Sequence, residues 1–294
     1  MKIAALDIGG TSIKAGIWED GELSGLKEYD TDAKRGGQFV MEKAISIIRE
    51  FEGFERIGIS TAGQVDPVRG MITYANENIP GYTGMKIKEI MEKEFGVPTA
   101  VENDVNSAAL GEAHYGAGRD YNDFLCATYG TGVGGAIIID RKIYTGSGFS
   151  AGEFGSLVIH ADKRIEGDLL SGCYERYAST TALVRNAREY DVELSNGRKI
   201  FERIEEPEVK MIVDNWINEI SYGLTTLIHI FNPSCVVLGG GVLAQKYVVE
   251  KLNKVIYNNI MDSFKNVKLV QAELGNKAGL FGAVHCAKSI GGKA

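Results

Sequence analysis

The feature that most constrains the fold is a unit of strand, glycine turn and strand that occurs twice. Apolar, strand-like segments lie on both sides of Asp7-Ile8-Gly9-Gly10-Thr11, and again on both sides of Gly130-Thr131-Gly132-Val133-Gly134. A third glycine turn, Gly239-Gly240-Gly241, follows the apolar residues 235–238 and leads into a helix. Because each hairpin needs a sheet to join, the repeat predicts two lobes with a sheet in each.

Helical and strand-like segments alternate along the rest of the chain. Apolar residues recur at helical spacing in residues 83–95 and 209–231, and short apolar runs lie between such segments. This alternation predicts an α/β protein. We expect a small N-terminal lobe at residues 1–110, joined by a C-terminal helix over 278–294, and a large lobe at residues 111–277.

Composition narrows the classes of function. Hydrophobic residues make up 44% of the sequence, but no apolar run approaches the roughly 18 residues that a membrane span needs. The formal net charge of −7 argues against a nucleic-acid surface, which requires clustered Lys and Arg. Residues 1–7 reach an acidic side chain before a signal peptide could form, so we expect a cytoplasmic protein with a small-molecule partner.

Glycine turns of this kind can bind phosphate, because backbone N–H groups without side chains beside them can approach phosphate oxygens. Asp7, at the end of the first strand, could orient water on Mg²⁺, although a plain hairpin turn would explain the first motif equally well. Gly130, Gly132 and Gly135 fit the dinucleotide pattern, but a strand follows them where that motif requires a helix. No P-loop sequence occurs. Three turns on one chain therefore favour a nucleotide site of another type.

The pair Asn103-Asp104 is the candidate for chemistry at a hydroxyl group. It follows a predicted strand and precedes a predicted helix over residues 107–115. Phosphoryl transfer needs a carboxylate that activates or orients the attacking hydroxyl, and Asp104 could supply it. The alternative is that Asp104 only caps the helix, and one residue could do both.

Several motifs together resemble the ROK family of bacterial sugar kinases and repressors. They occur in the same order and at similar spacing along the whole chain, and they are Asp7-Ile8-Gly9-Gly10-Thr11 with Lys14, Glu102-Asn103-Asp104, Gly130 to Gly135, Gly152-Glu153-Phe154-Gly155 and Leu238 to Gly241. The resemblance implies the actin-like, ribonuclease H-like ATPase fold, with ATP and sugar meeting in a cleft between two lobes. It also implies a homodimer.

The resemblance implies a role for each matching position. Asp104 would be the general base for an ATP-dependent transfer to a hexose hydroxyl, with Mg²⁺ carried by ATP and no metal bound directly by protein. The implied sugar-binding residues are Gly63, Asn78, Asn103, Asp104, Glu153, Ser156 and Glu175. The implied nucleotide-binding residues are Asp7, Gly9, Gly10, Thr11, Lys14, Gly130, Thr131, Gly132, Gly134, Gly239, Gly240 and Gly241.

One departure from the family pattern concerns zinc. The family motif has a His and three Cys that bind zinc, but this chain has Ser156 at the His position and keeps only Cys173 of the cysteines. A single Cys cannot complete a tetrahedral zinc site, so we expect no structural zinc. Zinc-free members with Gly-Glu-Phe-Gly at residues 152–155 resemble β-glucoside kinases, so a β-glucoside or glucose is the expected substrate.

Other functions stay open at this point. N-acetylmannosamine kinase and fructokinase belong to the same family. The two carboxylates Glu153 and Glu175 would also suit a glycosidase, but a hydrolase has no use for three phosphate turns. A sugar-responsive repressor would carry an N-terminal helix-turn-helix, and this sequence begins at the strand before Asp7. A non-catalytic sugar-binding protein is the remaining alternative.

Overall fold

The computed structural model describes residues 1–291. It confirms the mixed α/β class, and it divides the chain into two compact units. The first unit contains Met1–Arg119, Lys142–Ala151 and the C-terminal residues from Asn276 onward. The second contains Asp120–Arg141 and Gly152–Gly275.

The strands are β1 (Ile3–Ile8), β2 (Ser12–Glu19), β3 (Glu22–Asp30), β4 (Arg56–Thr61), β5 (Gln64–Asp66), β6 (Met71–Tyr74), β7 (Thr99–Asn103), β8 (Phe124–Tyr129), β9 (Val133–Ile139), β10 (Lys142–Ile143), β11 (Cys235–Gly239) and β12 (Lys268–Gln271). The α-helices are α1 (Gly37–Ile48), α2 (Ile87–Phe95), α3 (Asp104–Tyr115), α4 (Tyr174–Ala178), α5 (Thr180–Tyr190), α6 (Gly197–Glu202), α7 (Pro207–Phe231), α8 (Lys246–Asn259) and α9 (Ala278–Ser289). Within residues 1–291, none of these helices is long and apolar enough to cross a membrane.

The first unit is built on a sheet in the order β3-β2-β1-β4-β7. Strand β1 pairs antiparallel with β2 and parallel with β4, and β4 pairs parallel with β7. The carboxyl ends of three parallel strands therefore lie at one edge of the sheet, and Asp7, Thr61 and Asn103 lie at or near these ends. The candidate functional residues of the first unit therefore lie at this edge of the sheet.

Helices α3 and α9 of the first unit pack closely because glycines lie at their contact. A Cβ atom added to Gly282 would overlap the backbone of Ser107, and one added to Gly111 would overlap the carbonyl of Ala278. Gly58 of β4 has the same relation to Ala283. The small residues allow α9 to lie against both α3 and the sheet, which brings the start of α9 next to β1.

The strands of the second unit run in the order β9-β8-β11-β12, with β8 parallel to β11 and β11 parallel to β12. The long helix α7 buries an apolar face that includes Trp216, whose indole N–H donates to the carbonyls of Ala178 and Ser179. The helix thereby fixes the junction between α4 and α5. The residues just after that junction contact the second glycine turn.

Several element boundaries differ from the sequence expectation, and helix α3, expected from residue 107, begins at Asp104. The helix expected from residue 83 begins at Ile87, because the Thr83 hydroxyl bonds to the backbone of Ala75 and Gly84 has a positive φ of 84°. The last helix, expected to reach residue 294, ends at Ser289; residues 292–294 lie outside the described part of the chain.

Candidate active site

The first glycine turn, residues 7–11, closes the hairpin of β1 and β2. The Gly9 N–H donates to the Ser12 carbonyl at 2.9 Å. Buried Thr31 holds the turn from the side, since its hydroxyl donates to the Gly9 carbonyl at 2.7 Å and its N–H to the Thr11 carbonyl at 2.8 Å. Within residues 1–291 the N–H groups of Gly10 and Thr11 have no protein acceptor, which leaves them available to an anion.

Asp7 lies at the end of β1, and its carboxylate is held on three sides. The Ser60 hydroxyl donates to Oδ1 at 2.7 Å, and the Lys14 ammonium lies 3.8 Å from Oδ2. The first turn of α9 packs on the same carboxylate, because a Cβ atom added to Gly279 would lie 2.7 Å from Oδ1. Burial raises the pKa of Asp7, and the contacts with Ser60 and Lys14 oppose the rise.

Asn103 caps helix α3, which corrects the alternative in which Asp104 is the cap. Its side-chain oxygen accepts the N–H groups of Val105 at 2.9 Å and Asn106 at 3.0 Å. Its amide nitrogen donates to the Gly63 carbonyl and to Asp104 Oδ1, both at 2.9 Å. The amide therefore joins three of the predicted site residues in one hydrogen-bonded group.

Asp104 is the first residue of α3, and its Oδ1 also accepts the Val105 N–H at 2.9 Å. Removal from water, with a smaller contribution from the Asp7 carboxylate, raises the pKa of Asp104 to about 6. Hydrogen bonds from Val105 and Asn103 oppose this rise. A carboxylate with a pKa near 6 can accept a proton at neutral pH better than an ordinary Asp can.

The second glycine turn, residues 130–134, connects β8 and β9. The Thr180 N–H donates to the Gly130 carbonyl at 2.9 Å, and the Thr181 hydroxyl donates to the Thr131 carbonyl at 2.8 Å. In the part of the chain from 1 to 291, the N–H groups of Thr131 and Gly132 make no bond to protein. The turn therefore presents backbone donors as the first one does.

The third glycine turn packs against the end of β8, just before the second turn. Gly240 has a φ of 113°, and a Cβ atom there would overlap the carbonyl of Tyr129, so this position requires glycine. Gly239 ends β11, and Gly241 begins a short helical turn before α8. The sequence predicted a strand, turn and helix here, and the structure has that order.

A cavity of about 860 Å³ opens beside the second and third turns, within the second unit. Gly130, Thr131 and Gly241 form part of its wall. The rest of the wall comes from residues that the sequence analysis missed, including Thr180, Val184, Arg198, Phe201 and Gln245. Ser179-Thr180-Thr181 is a typical helix start, but nothing in the sequence indicates that α5 begins next to the turn.

The predicted sugar-binding residues of the second unit lie in two segments. Glu153 and Ser156 are exposed at the short helical turn Phe154–Ser156, and Phe154 is buried against Gly135 of β9. Glu175 lies in the first turn of α4. Its Oε2 accepts the Val133 N–H at 3.0 Å, so the structure brings Glu175 to the second glycine turn.

Asn78 stands apart from the other predicted residues of the first unit. It is exposed, and its N–H donates to Asn76 Oδ1 at 3.0 Å in a local turn. No hydrogen bond joins it to Asn103 or Asp104 in the described chain. Its sugar-binding role stays a prediction.

The segment that would correspond to the family's zinc motif is held by hydrogen bonds. Arg164 Nη1 donates to the carbonyls of Leu169 at 3.0 Å and Ser171 at 2.6 Å, and it lies 3.4 Å from Cys173 Sγ. His160 bonds to Glu219 at 2.7 Å. Among residues 1–291, no three His, Cys, Asp or Glu side chains are grouped as metal ligands.

Comparison with known proteins identifies the same family that the sequence motifs resemble. The ROK family matches residues 3–290. A β-glucoside kinase from Listeria monocytogenes is 33% identical, with 97% of each chain covered.

Solved structures agree with this match. A ROK hexokinase from Thermus thermophilus has a TM-score of 0.84 and 32% identity, with 98% of each chain covered. A ROK family glucokinase from Streptomyces griseus, solved with glucose and AMPPNP, has a TM-score of 0.82 and 30% identity, with 98% of this chain and 100% of that chain covered. These similarities confirm the predicted actin-like ATPase fold. Because the family match covers nearly the whole length of the chain and a relative is 33% identical to it, the chain belongs to the ROK family.

Proposed function

We propose that this protein is an ATP-dependent sugar kinase that transfers the γ-phosphoryl group to a hydroxyl of a hexose or a hexose-containing sugar. Asp104 acts as the general base. The expected acceptor is a β-glucoside or glucose, which accords with relatives described as a β-glucoside kinase and a glucokinase. The proposal includes a cytoplasmic homodimer, for which the support is the family resemblance.

The observation that carries the proposal is the environment of Asp104. Its carboxylate is fixed by two hydrogen bonds at the start of α3, and its pKa is raised to about 6. General-base catalysis is most effective when the pKa of the base lies near the working pH. A helix cap would not need this shift, and Asn103 already provides the cap.

Asn103 orients the base in this proposal. Both hydrogens of its amide donate to protein oxygens, on Gly63 and Asp104, and its oxygen accepts two N–H groups. A direct hydrogen bond from Asn103 to the sugar would require one of these protein hydrogen bonds to break. Gly63 is then a second support, because its carbonyl fixes the amide.

The second unit supplies the nucleotide site. Drug-sized and nucleotide ligands occupy cavities of roughly 300–1,000 Å³, and the cavity beside the second and third turns falls in that range. Its apolar wall, with Val184 and Phe201, suits a base, and the N–H groups of the second turn suit phosphate oxygens. The residues present therefore fit ATP.

Magnesium also fits the residues present. Oxygen ligands and retained water are typical of Mg²⁺, and Asp7 offers a carboxylate at the first phosphate turn. Asp7 would hold the ion through water, and the bound ion would neutralise charge on the phosphates. Lys14, 3.8 Å from Asp7, adds positive charge at the same turn.

The test is a coupled assay of ADP release with ATP and Mg²⁺ across glucose, cellobiose, gentiobiose, N-acetylmannosamine, fructose and mannose. Turnover with glucose or with the β-linked disaccharides is expected. Turnover with N-acetylmannosamine or fructose alone would keep the kinase class and replace the acceptor. Folded protein that binds ATP but turns over none of these sugars would refute the kinase proposal and favour a sugar-responsive regulator.

A further inference from the structure

Glu175 is in contact with the second glycine turn as well as being a predicted sugar-binding residue. Its Oε2 accepts the Val133 N–H at 3.0 Å. A Cβ atom added to Gly132 would overlap this oxygen, and one added to Gly155 would lie 3.3 Å from it. The carboxylate thus occupies a space that two glycines leave open.

This contact fixes the C-terminal half of the turn. Thr180 and Thr181 hold the carbonyls of Gly130 and Thr131, but they make no bond to Val133. The hydrogen bond from Val133 to Glu175 is the side-chain contact at the point where the turn becomes β9. Because the carboxylate is charged, this bond is of the stronger kind.

The other oxygen of the carboxylate has a different role available. Within residues 1–291, Oε1 of Glu175 makes no hydrogen bond to protein. One oxygen can therefore hold the turn while the second accepts a bond from a ligand hydroxyl. A hydroxyl that orders the carboxylate would also order the turn, and a turn ordered by phosphate would order the carboxylate in return.

We propose that Glu175 is a positioning residue for the nucleotide phosphates, which holds the second glycine turn through Val133 and couples nucleotide binding to sugar binding. The proposal rests on the proposed kinase function. It gives Glu175 a role that can be measured with no sugar present. Substitution of a residue that contacts only the sugar would not change nucleotide affinity measured without sugar.

The experiment measures AMPPNP affinity by calorimetry with Mg²⁺ and without sugar, for the wild type, Glu175→Ala, Glu175→Gln and Glu153→Gln. Glu175→Ala should weaken AMPPNP binding about 10-fold, the scale of one hydrogen bond to a charged group. Glu175→Gln keeps an acceptor for Val133 and should stay within about 2-fold of the wild type on the same reasoning. Glu153→Gln is the matched control, because it removes the other predicted sugar carboxylate and should leave AMPPNP affinity unchanged.

A second readout reports the turn directly. Hydrogen exchange at the Val133 amide should accelerate in Glu175→Ala, while amides in the core of β8 keep their protection. Equal AMPPNP affinity in all four proteins, or unchanged exchange at Val133, would overturn the inference while an active kinase stands. Wild-type protein that binds no AMPPNP would overturn both this inference and the proposed function.

Discussion

Asp104→Asn should make the protein more stable while it destroys the proposed activity. A carboxyl whose pKa rises on folding is destabilising once it ionises, because the folded state holds the proton more tightly than the unfolded state does. From an ordinary value of 3.8 to a pKa of about 6, the penalty is about 3 kcal/mol when the group is fully ionised. Asparagine approximates the protonated carboxyl, and its oxygen can still accept from Asn103 and Val105.

The sign of the effect gives it a pH window. Well below pH 3.8 the carboxyl is protonated in both states, so the penalty is absent. The penalty grows as pH rises through 3.8 and is complete above about pH 6. Asp104→Asn should therefore gain about 3 kcal/mol at pH 8 and about 1.5 kcal/mol at pH 5 in the free energy of unfolding, measured by urea denaturation. Asp20→Asn, in an exposed turn whose left-handed φ of 50° suits asparagine, should change it by less than about 0.5 kcal/mol.

The same variant tests the mechanism. Loss of the base should lower kcat by at least about 100-fold, and kcat/KM of the wild type should fall as pH drops below about 6. A variant that is no more stable than the wild type at pH 8, or equally stabilised at both pH values, would refute the account of the raised pKa. Full activity in the variant would remove Asp104 from the chemistry.

Two further predictions concern the scaffold. Gly282→Ala should lower the free energy of unfolding by about 1–3 kcal/mol, because its Cβ would overlap the backbone of α3. Ser289→Ala, at the exposed end of α9, should lower it by less than about 0.5 kcal/mol. Equal losses for the two variants in urea denaturation would contradict the packing argument. Arg164→Met should lower the melting temperature, because it removes the guanidinium hydrogen bonds to the carbonyls of Leu169 and Ser171. A zinc chelator should leave the melting temperature of the wild type unchanged. A melting temperature that falls with the chelator would show a metal at this segment.

The positions of the candidate residues at the ends of strands could be predicted from sequence. Apolar runs located the strands, and the residues just after them, such as Asp7 and Asn103-Asp104, necessarily lie at the edge of a parallel sheet. The glycines at 239–241 were also located correctly, since Gly240 needs a conformation that other residues avoid. These features depend on local sequence, so periodicity and turn composition reveal them.

The supports of the turns could not be predicted in this way. Thr31 reaches Gly9 from β3's end, and Thr181 reaches Thr131 from 50 residues away. Threonines are common, and nothing in their immediate neighbours marks them as contacts of a turn. The Glu175 contact with Val133 is of the same kind. Such pairs depend on tertiary packing, for which a single sequence carries no periodic signal.

The two glycine turns are supported differently, and their strands explain the difference. In the register of the two hairpins, Asp7 pairs with Lys14 just before the first turn, whereas Thr128 pairs with Gly134 just before the second. The first turn therefore already carries a half-buried carboxylate, and a neutral hydroxyl, from Thr31, holds it. The second has no acid in that position, so the negative charge of Glu175 can support it without facing another carboxylate on the adjoining strand. One copy of the repeated backbone unit thus carries an acidic side chain on its own strand, whereas the other copy receives one from Glu175, which is the proposed link to the sugar.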